Sequence, residues 1–130
     1  WMQIAIKPAK PFAFGLVGGK PVFGLPGNPV SSMVSYLLLA KPALKKMMGC
    51  KELLPSHLLG QTADDFLRRS DGKTHFVRAM LQEGGEKALV SSIRKQGSHQ
   101  LTGMAKADIL AILPDGDGVT KGEPIEYFRF

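Results

Sequence analysis

Gly24-Leu25-Pro26-Gly27-Asn28-Pro29-Val30-Ser31 is the stretch around which this 130-residue chain is organised. The apolar run Pro21 to Leu25 reads as a short buried strand, and the Pro-Gly-Asn-Pro turn ends it. Val30, Met33, Val34, Leu37 and Leu38 then recur at helical spacing. Asn28 is a good N-cap residue, and Pro29 sits in the first turn, where its missing N–H is no loss. The expected product is a strand–turn–helix corner with N–H groups free at the helix start. Such a corner favours anions through its unpaired donors and the helix dipole. Taken alone, a well-capped helix after a turn is the simpler reading, because most capped helices bind nothing.

Upstream of the corner, Trp1 to Ile6 alternates and is β-prone, which predicts a strand. Lys7-Pro8-Ala9-Lys10-Pro11 follows; its two prolines hold the backbone extended, so Lys7 and Lys10 project from a stiff loop. Phe12 to Val17 is a second apolar run, and Gly18-Gly19 predicts a hairpin turn into the strand that ends at the corner. Downstream, Pro42 predicts a kink or a restart of the helix. Ala43 to Met48 continues it, with Lys45 and Lys46 in the last turn and Gly49 as a left-handed cap.

The pattern changes after Gly49. Period-two stretches predict strands over His57 to Phe66, Thr74 to Gln82, Ala88 to Ile93, Asp108 to Leu113 and Pro124 to Phe130. Turns are expected at Ser70–Lys73, Glu83–Glu86, Pro114–Gly118 and Thr120–Glu123, and a short helix over Gln100–Ala105 with Ser98 as its cap. In the strand from Thr74, Phe76, Arg78 and Met80 share one face, with His75, Val77, Ala79 and Leu81 on the other. The fold class expected is therefore the end of a three-layer α/β sandwich over residues 1–50, followed over 51–130 by a small all-β, barrel-like domain.

Composition narrows the function classes. The formal charge of +6 suits acidic partners such as phosphates and oxyanions. The basic residues form no arginine-rich tract and aromatics are few, so nucleic acid is not indicated. The longest apolar run, Val34 to Ala40, is far too short to span a bilayer, and no charged segment leads into an apolar stretch at the start. The single Cys50 forms no internal disulfide and fits a reducing compartment. Trp1 is not a natural first residue, so the expectation is a piece of a longer chain.

Three histidines, His57, His75 and His99, lack ligand spacing, and no metal set is expected within the chain. Pro114–Gly118 has some letters of a calcium loop but no downstream bidentate Glu, and reads as a turn. What remains is a set of anion-binding parts: Lys7 and Lys10 on the stiff loop, Asn28 and Ser31 at one helix start, Arg78 in a strand and Ser98 at a second helix start. Arginine presents a fixed fork that suits oxyanions.

Taken together, Lys7-Pro8-Ala9-Lys10-Pro11, Phe14-Gly15, Leu25-Pro26-Gly27-Asn28-Pro29-Val30-Ser31, His75-Phe76-Val77-Arg78, Gln96-Gly97-Ser98-His99 and Ala107-Asp108 leading to Leu113-Pro114 resemble the C-terminal region of molybdopterin molybdenumtransferase. This is the family of bacterial MoeA and the gephyrin E domain. Order and spacing match over nearly the whole chain. The resemblance implies a parent transferase of molybdenum cofactor biosynthesis that inserts molybdate into adenylylated molybdopterin, releases AMP, and uses Mg2+.

It also implies that Lys10, Pro11, Ser31, Arg78 and Ser98 bind the oxyanion, and that Lys7, Gly27 and Asn28 lie at the cofactor. The catalytic work would be positioning and electrostatic stabilisation, since a compact dianion needs donors more than acid–base chemistry. Other implied properties are a cytoplasmic setting, a homodimer in the full-length protein, no membrane, and partners limited to pterin, molybdate and the rest of the parent chain. One departure is Pro-Ala-Lys-Pro where the family commonly has Pro-Gly-Lys-Pro. The family's Gly-Gly-rich, Asp-containing nucleotide and metal loop would lie upstream of Trp1, so this chain alone is expected to be inactive. A non-catalytic oxyanion or phospho-ligand binder or scaffold module is the alternative, and a basic nucleic-acid-binding domain ranks third.

Overall fold

The structure, a computed structural model, describes residues 4–9, 11–82, 85–93 and 109–130. The chain divides into two compact units, Trp1–Leu54 and Pro55–Phe130.

In the first unit a two-residue strand, β1 (Ile6–Lys7), leaves out Ile4 and Ala5 of the strand expected over Trp1–Ile6, whose first three residues lie outside the described ones; Pro8, joined to Lys7 by a cis bond, follows it. The antiparallel hairpin of β2 (Ala13–Val17) and β3 (Lys20–Gly24) turns at Gly18-Gly19, and Phe14 and Phe23 stand opposite each other with ring centroids 5.4 Å apart. The expectation that the second of these strands is buried is corrected: β2 is exposed along its length and Val22 is exposed on β3.

Helix α1 (Pro29–Ser35) runs on through a wide π segment, Tyr36–Ala40, into α2 (Lys41–Met47). Pro42 has no N–H to give the preceding turn, and the helix restarts with that proline in its first turn. The widened turn lies immediately before it, with Lys41 N–H reaching back to the Tyr36 carbonyl. Gly49 caps the end at φ 78°; its N–H meets the Lys46 carbonyl and that of Cys50 the Lys45 carbonyl, both at 3.0 Å. Lys45 and Lys46 lie in the last turn, as the helix dipole favours.

The second unit is a closed five-stranded barrel. β4 (Leu58–Thr62), β7 (Leu89–Ser92), β6 (Thr74–Gln82), β8 (Ile109–Leu113) and β10 (Pro124–Arg129) follow one another around it, and β10 pairs back to β4. All pairings are antiparallel except β4 with β7. A small ribbon of β5 (Phe66–Leu67) and β9 (Gly118–Val119) is added.

The single strand expected over His57–Phe66 is thus two. Between them Asp64 accepts the Ser92 N–H at 2.9 Å and Asp65 that of Lys121 at 2.7 Å, which bends the chain out of the ladder. Val77, Ala79 and Leu81 point inward with Val90, Ile109, Ala111, Leu113, Ile125 and Tyr127. Each large side chain so buried contributes about 1.5–3 kcal/mol. The turn at Glu83-Gly84 and the helix over Gln100–Ala105 lie outside the described residues.

Candidate functional site

At the corner, Asn28 is extended (φ −70°, ψ 126°), and its Oδ1 accepts the N–H groups of Val30 at 3.0 Å and Ser31 at 3.3 Å. The Ser32 N–H already bonds the Asn28 carbonyl at 2.8 Å, and Pro29 has no N–H. The free backbone donors expected here are therefore absent: the cap consumes them. What Ser31 retains for a ligand is its hydroxyl. Gly27 is exposed, and a Cβ placed on it would meet nothing within 4 Å, so the backbone is open to close approach. Lys7 lies on β1 and Pro11 on the following bend, both exposed. Lys10 and Ser98 lie outside the described residues.

One turn beyond Ser31, Ser35 is fully buried, and its hydroxyl has no hydrogen-bond partner among the described residues. Sequence reasoning passed over it, because a serine inside an apolar run carries no signal of its own.

Arg78 lies on β6, and because Val77, Ala79 and Leu81 pack into the core, its face points outward from the barrel. Across the β6–β8 ladder it stands opposite Leu110, while Phe76 stands opposite Ile112. Phe128 on β10 faces Leu110 from the other side, and its ring lies 6.0 Å from that of Phe76. Leu110 and Phe128 are completely buried although they point away from the barrel interior. The guanidinium thus rises from an apolar patch. Its Nη1 is buried and has no partner among the described residues. A charged donor held from water without an acceptor is costly, and an anion relieves that cost.

Arg68 was not picked out by the sequence. Its side chain is only 4% exposed, and its Nη2 lies 2.6 Å from Asp71 Oδ1 and 3.3 Å from Asp115 Oδ1. Nη1 donates to the carbonyls of Lys73 (2.8 Å), Leu113 (3.1 Å) and Pro114 (3.0 Å). Asp71 also bonds His75 Nε2 at 2.9 Å and accepts the Lys73 N–H. Asp115 accepts the Ser70 hydroxyl and the N–H groups of Asp71 and Gly116, each at 3.0 Å.

The bond to His75, with that from the Lys73 amide, holds the Asp71 carboxyl below the ordinary aspartate value; the amide of Asp71 and the hydroxyl of Ser70 do the same for Asp115. The only prior signal was turn chemistry: Asp at a turn start accepts nearby amides. Among the described residues no group of three or more His, Cys, Asp or Glu is arranged to hold a metal ion. The Mg2+ that the resemblance implies thus has no ligand set among the described residues. No helix among the described residues is long and apolar enough to cross a membrane.

A small closed β-barrel carrying an outward arginine, preceded by a hairpin and a capped helix, defines the class of chain. Within it, this chain belongs to the family of the MoeA C-terminal region (domain IV), whose pattern matches residues 61–130. It is 35% identical over 126 residues to a molybdopterin molybdenumtransferase of Haemophilus influenzae, spanning 95% of this chain and 31% of that protein. It is 32% identical over 115 residues to molybdopterin molybdenumtransferase 2 of Mycobacterium tuberculosis, spanning 88% of this chain and 28% of that protein. A crystal structure of the molybdopterin biosynthesis moeA protein from Pyrococcus horikoshii superposes with a TM-score of 0.72 at 27% identity, over 97% of this chain and 31% of that one. The chain thus spans just under a third of the length of these relatives.

Proposed function

We propose that the protein to which this chain belongs inserts molybdate into adenylylated molybdopterin, releasing AMP and giving molybdenum cofactor. In this reading the chain builds the oxyanion site: the Arg78 guanidinium, the Ser31 hydroxyl, Lys10 and Ser98 donate, and Pro11, which has no N–H, lines it. Lys7, Gly27 and Asn28 lie at the pterin, with Asn28 acting through the cap it forms and Gly27 through its open backbone. The observation that carries the reading is the buried Arg78 Nη1, which has no acceptor among the described residues. A tetrahedral dianion is the class of ligand that such a forked donor accepts.

Charge supports it. Residues 1–54 hold seven lysines and a single acidic residue, Glu52, so the net charge of +6 resides there, while residues 55–130 hold ten basic and ten acidic residues. A lysine-rich first unit raises the local concentration of anionic substrates. The chain's contribution to the chemistry is positioning and neutralisation of the oxyanion as the adenylate departs. The divalent-metal ligands of this reading lie outside the described residues, and the reading carries a cytoplasmic homodimer for the whole protein.

The test is AMP release from adenylylated molybdopterin by the full-length protein, with and without molybdate, beside its Arg78→Ala variant. Molybdate-dependent release that the substitution suppresses supports the assignment. Release that is indifferent to molybdate and to Arg78 overturns it.

A further inference from the structure

Arg78 owes its outward direction to the register of β6. A one-residue slip of a strand exchanges its two faces. Such a slip would turn Arg78 into the barrel and bring Val77 and Ala79 out. The β6–β8 ladder runs from His75 opposite Leu113 to Ala79 opposite Ile109, with Arg78 opposite Leu110 inside it. At the His75–Leu113 end sits the Arg68 side chain. Its Nη1 holds the carbonyl of Lys73, the residue before β6, and those of Leu113 and Pro114, at the end of β8. Its Nη2 is tied to Asp71 and Asp115, and Asp71 in turn holds His75 on β6 itself. One nearly buried guanidinium therefore fastens both strands of the ladder that carries Arg78. The distance along β6 from His75 to Arg78 is three residues, about 10 Å.

We propose that Arg68 is a positioning residue for the oxyanion site: by clamping the ends of β6 and β8 it fixes the register that presents Arg78 to molybdate. The inference rests on the oxyanion role proposed for Arg78. Arginine suits the task because its planar fork meets several acceptors in fixed directions, which a lysine ammonium on a flexible stem does not.

A double-mutant cycle in the full-length protein tests this, with molybdate affinity by calorimetry, the KM for molybdate and for the pterin substrate, and Tm as readouts. Arg68→Gln is expected to weaken molybdate binding about tenfold, to leave the pterin KM unchanged, and to add nothing once Arg78 is alanine. Undiminished molybdate affinity in folded Arg68→Gln overturns the proposal. So does an equal loss in both backgrounds, since a purely structural role is additive. If Arg68→Gln does not fold, Arg68→Lys decides by the same cycle, because a lysine ammonium keeps the charge and cannot hold the three carbonyls in fixed directions. If Arg78→Ala leaves molybdate binding intact, the assignment of Arg78 fails, and the role of Arg68 falls with it. Loss on Arg78→Ala with none on either Arg68 substitution overturns the clamp alone.

Discussion

Arg78 and Leu110 stand directly opposite each other on neighbouring strands of the barrel wall, a cation beside a completely buried leucine. Nothing among the described residues accepts a hydrogen bond from the buried Arg78 Nη1. A buried charged donor without an acceptor costs stability, and an oxyanion would relieve that cost. Arg78→Ala removes an unsatisfied donor, so the unfolding midpoint is expected to hold or rise while molybdate affinity falls by about ten- to a hundredfold, the worth of a charge-assisted hydrogen bond. Calorimetry and thermal unfolding of the same preparation check both halves. A variant that loses stability and keeps affinity would contradict the account.

Ser35 presents the neutral counterpart. Its hydroxyl is buried in the helix without a partner among the described residues. Ser35→Ala is expected to leave stability unchanged or raise it by up to about 1 kcal/mol, since an unpaired buried hydroxyl is a cost and not a contribution. Urea denaturation measures this; a clear loss of stability would mean that the hydroxyl is bonded in solution.

Acid is expected to loosen the barrel end. The carboxyls of Asp71 and Asp115 both lie below the ordinary value of 3.8 in the folded protein, Asp71 chiefly through the bond from His75 and Asp115 chiefly through the Asp71 amide. A depressed folded pKa contributes stability that is complete above the unfolded value and is lost as pH falls through the folded one. The contribution of these two groups is therefore complete well above the unfolded value of 3.8, begins to fade as pH approaches it, and is gone only below the still lower folded values. Asp71→Asn and Asp115→Asn should each flatten the acid limb of a stability–pH curve. An unchanged limb in both would refute the coupling.

Gly118 sits in β9 at φ 103°, and a Cβ there would collide with the Phe66 carbonyl on β5. Gly118→Ala should cost about 2 kcal/mol or more, through backbone strain and separation of the β5–β9 ribbon. Gly72, also at positive φ but with open space around it, provides the control: Gly72→Ala carries the backbone cost without the collision and should lose less. Equal losses in chemical denaturation would remove the steric part of the explanation.

Local rules located most of the elements. The alternation of Thr74–Gln82 marked β6 to its ends and assigned its two faces, because a strand's period of two is written into consecutive residues. The Asn28 cap, the restart at Pro42 and the left-handed Gly49 were legible for the same reason: each depends on a residue's own backbone and its near neighbours. Where the reading erred, a distant partner intervened. His57–Phe66 looked like a single strand because the amides that bend it belong to Ser92 and Lys121. The corner looked rich in free donors because its own cap was counted as a boundary marker and not as an acceptor of two amides.

The sequence by itself determined the order of most strands and turns and of the first helix, the grouping of Arg78 with Phe76 and Met80 on one face, and the motifs that mark the MoeA C-terminal region, all of them properties of short windows. Only the tertiary structure decided that the barrel closes through β10 and β4, that Leu110 and Phe128 are buried on the outer side of its wall, and that Arg68 reaches Leu113 to clamp two strands. Those outcomes depend on pairings between residues tens of positions apart. Register and burial are settled there by the energy of the whole barrel, which no local period encodes.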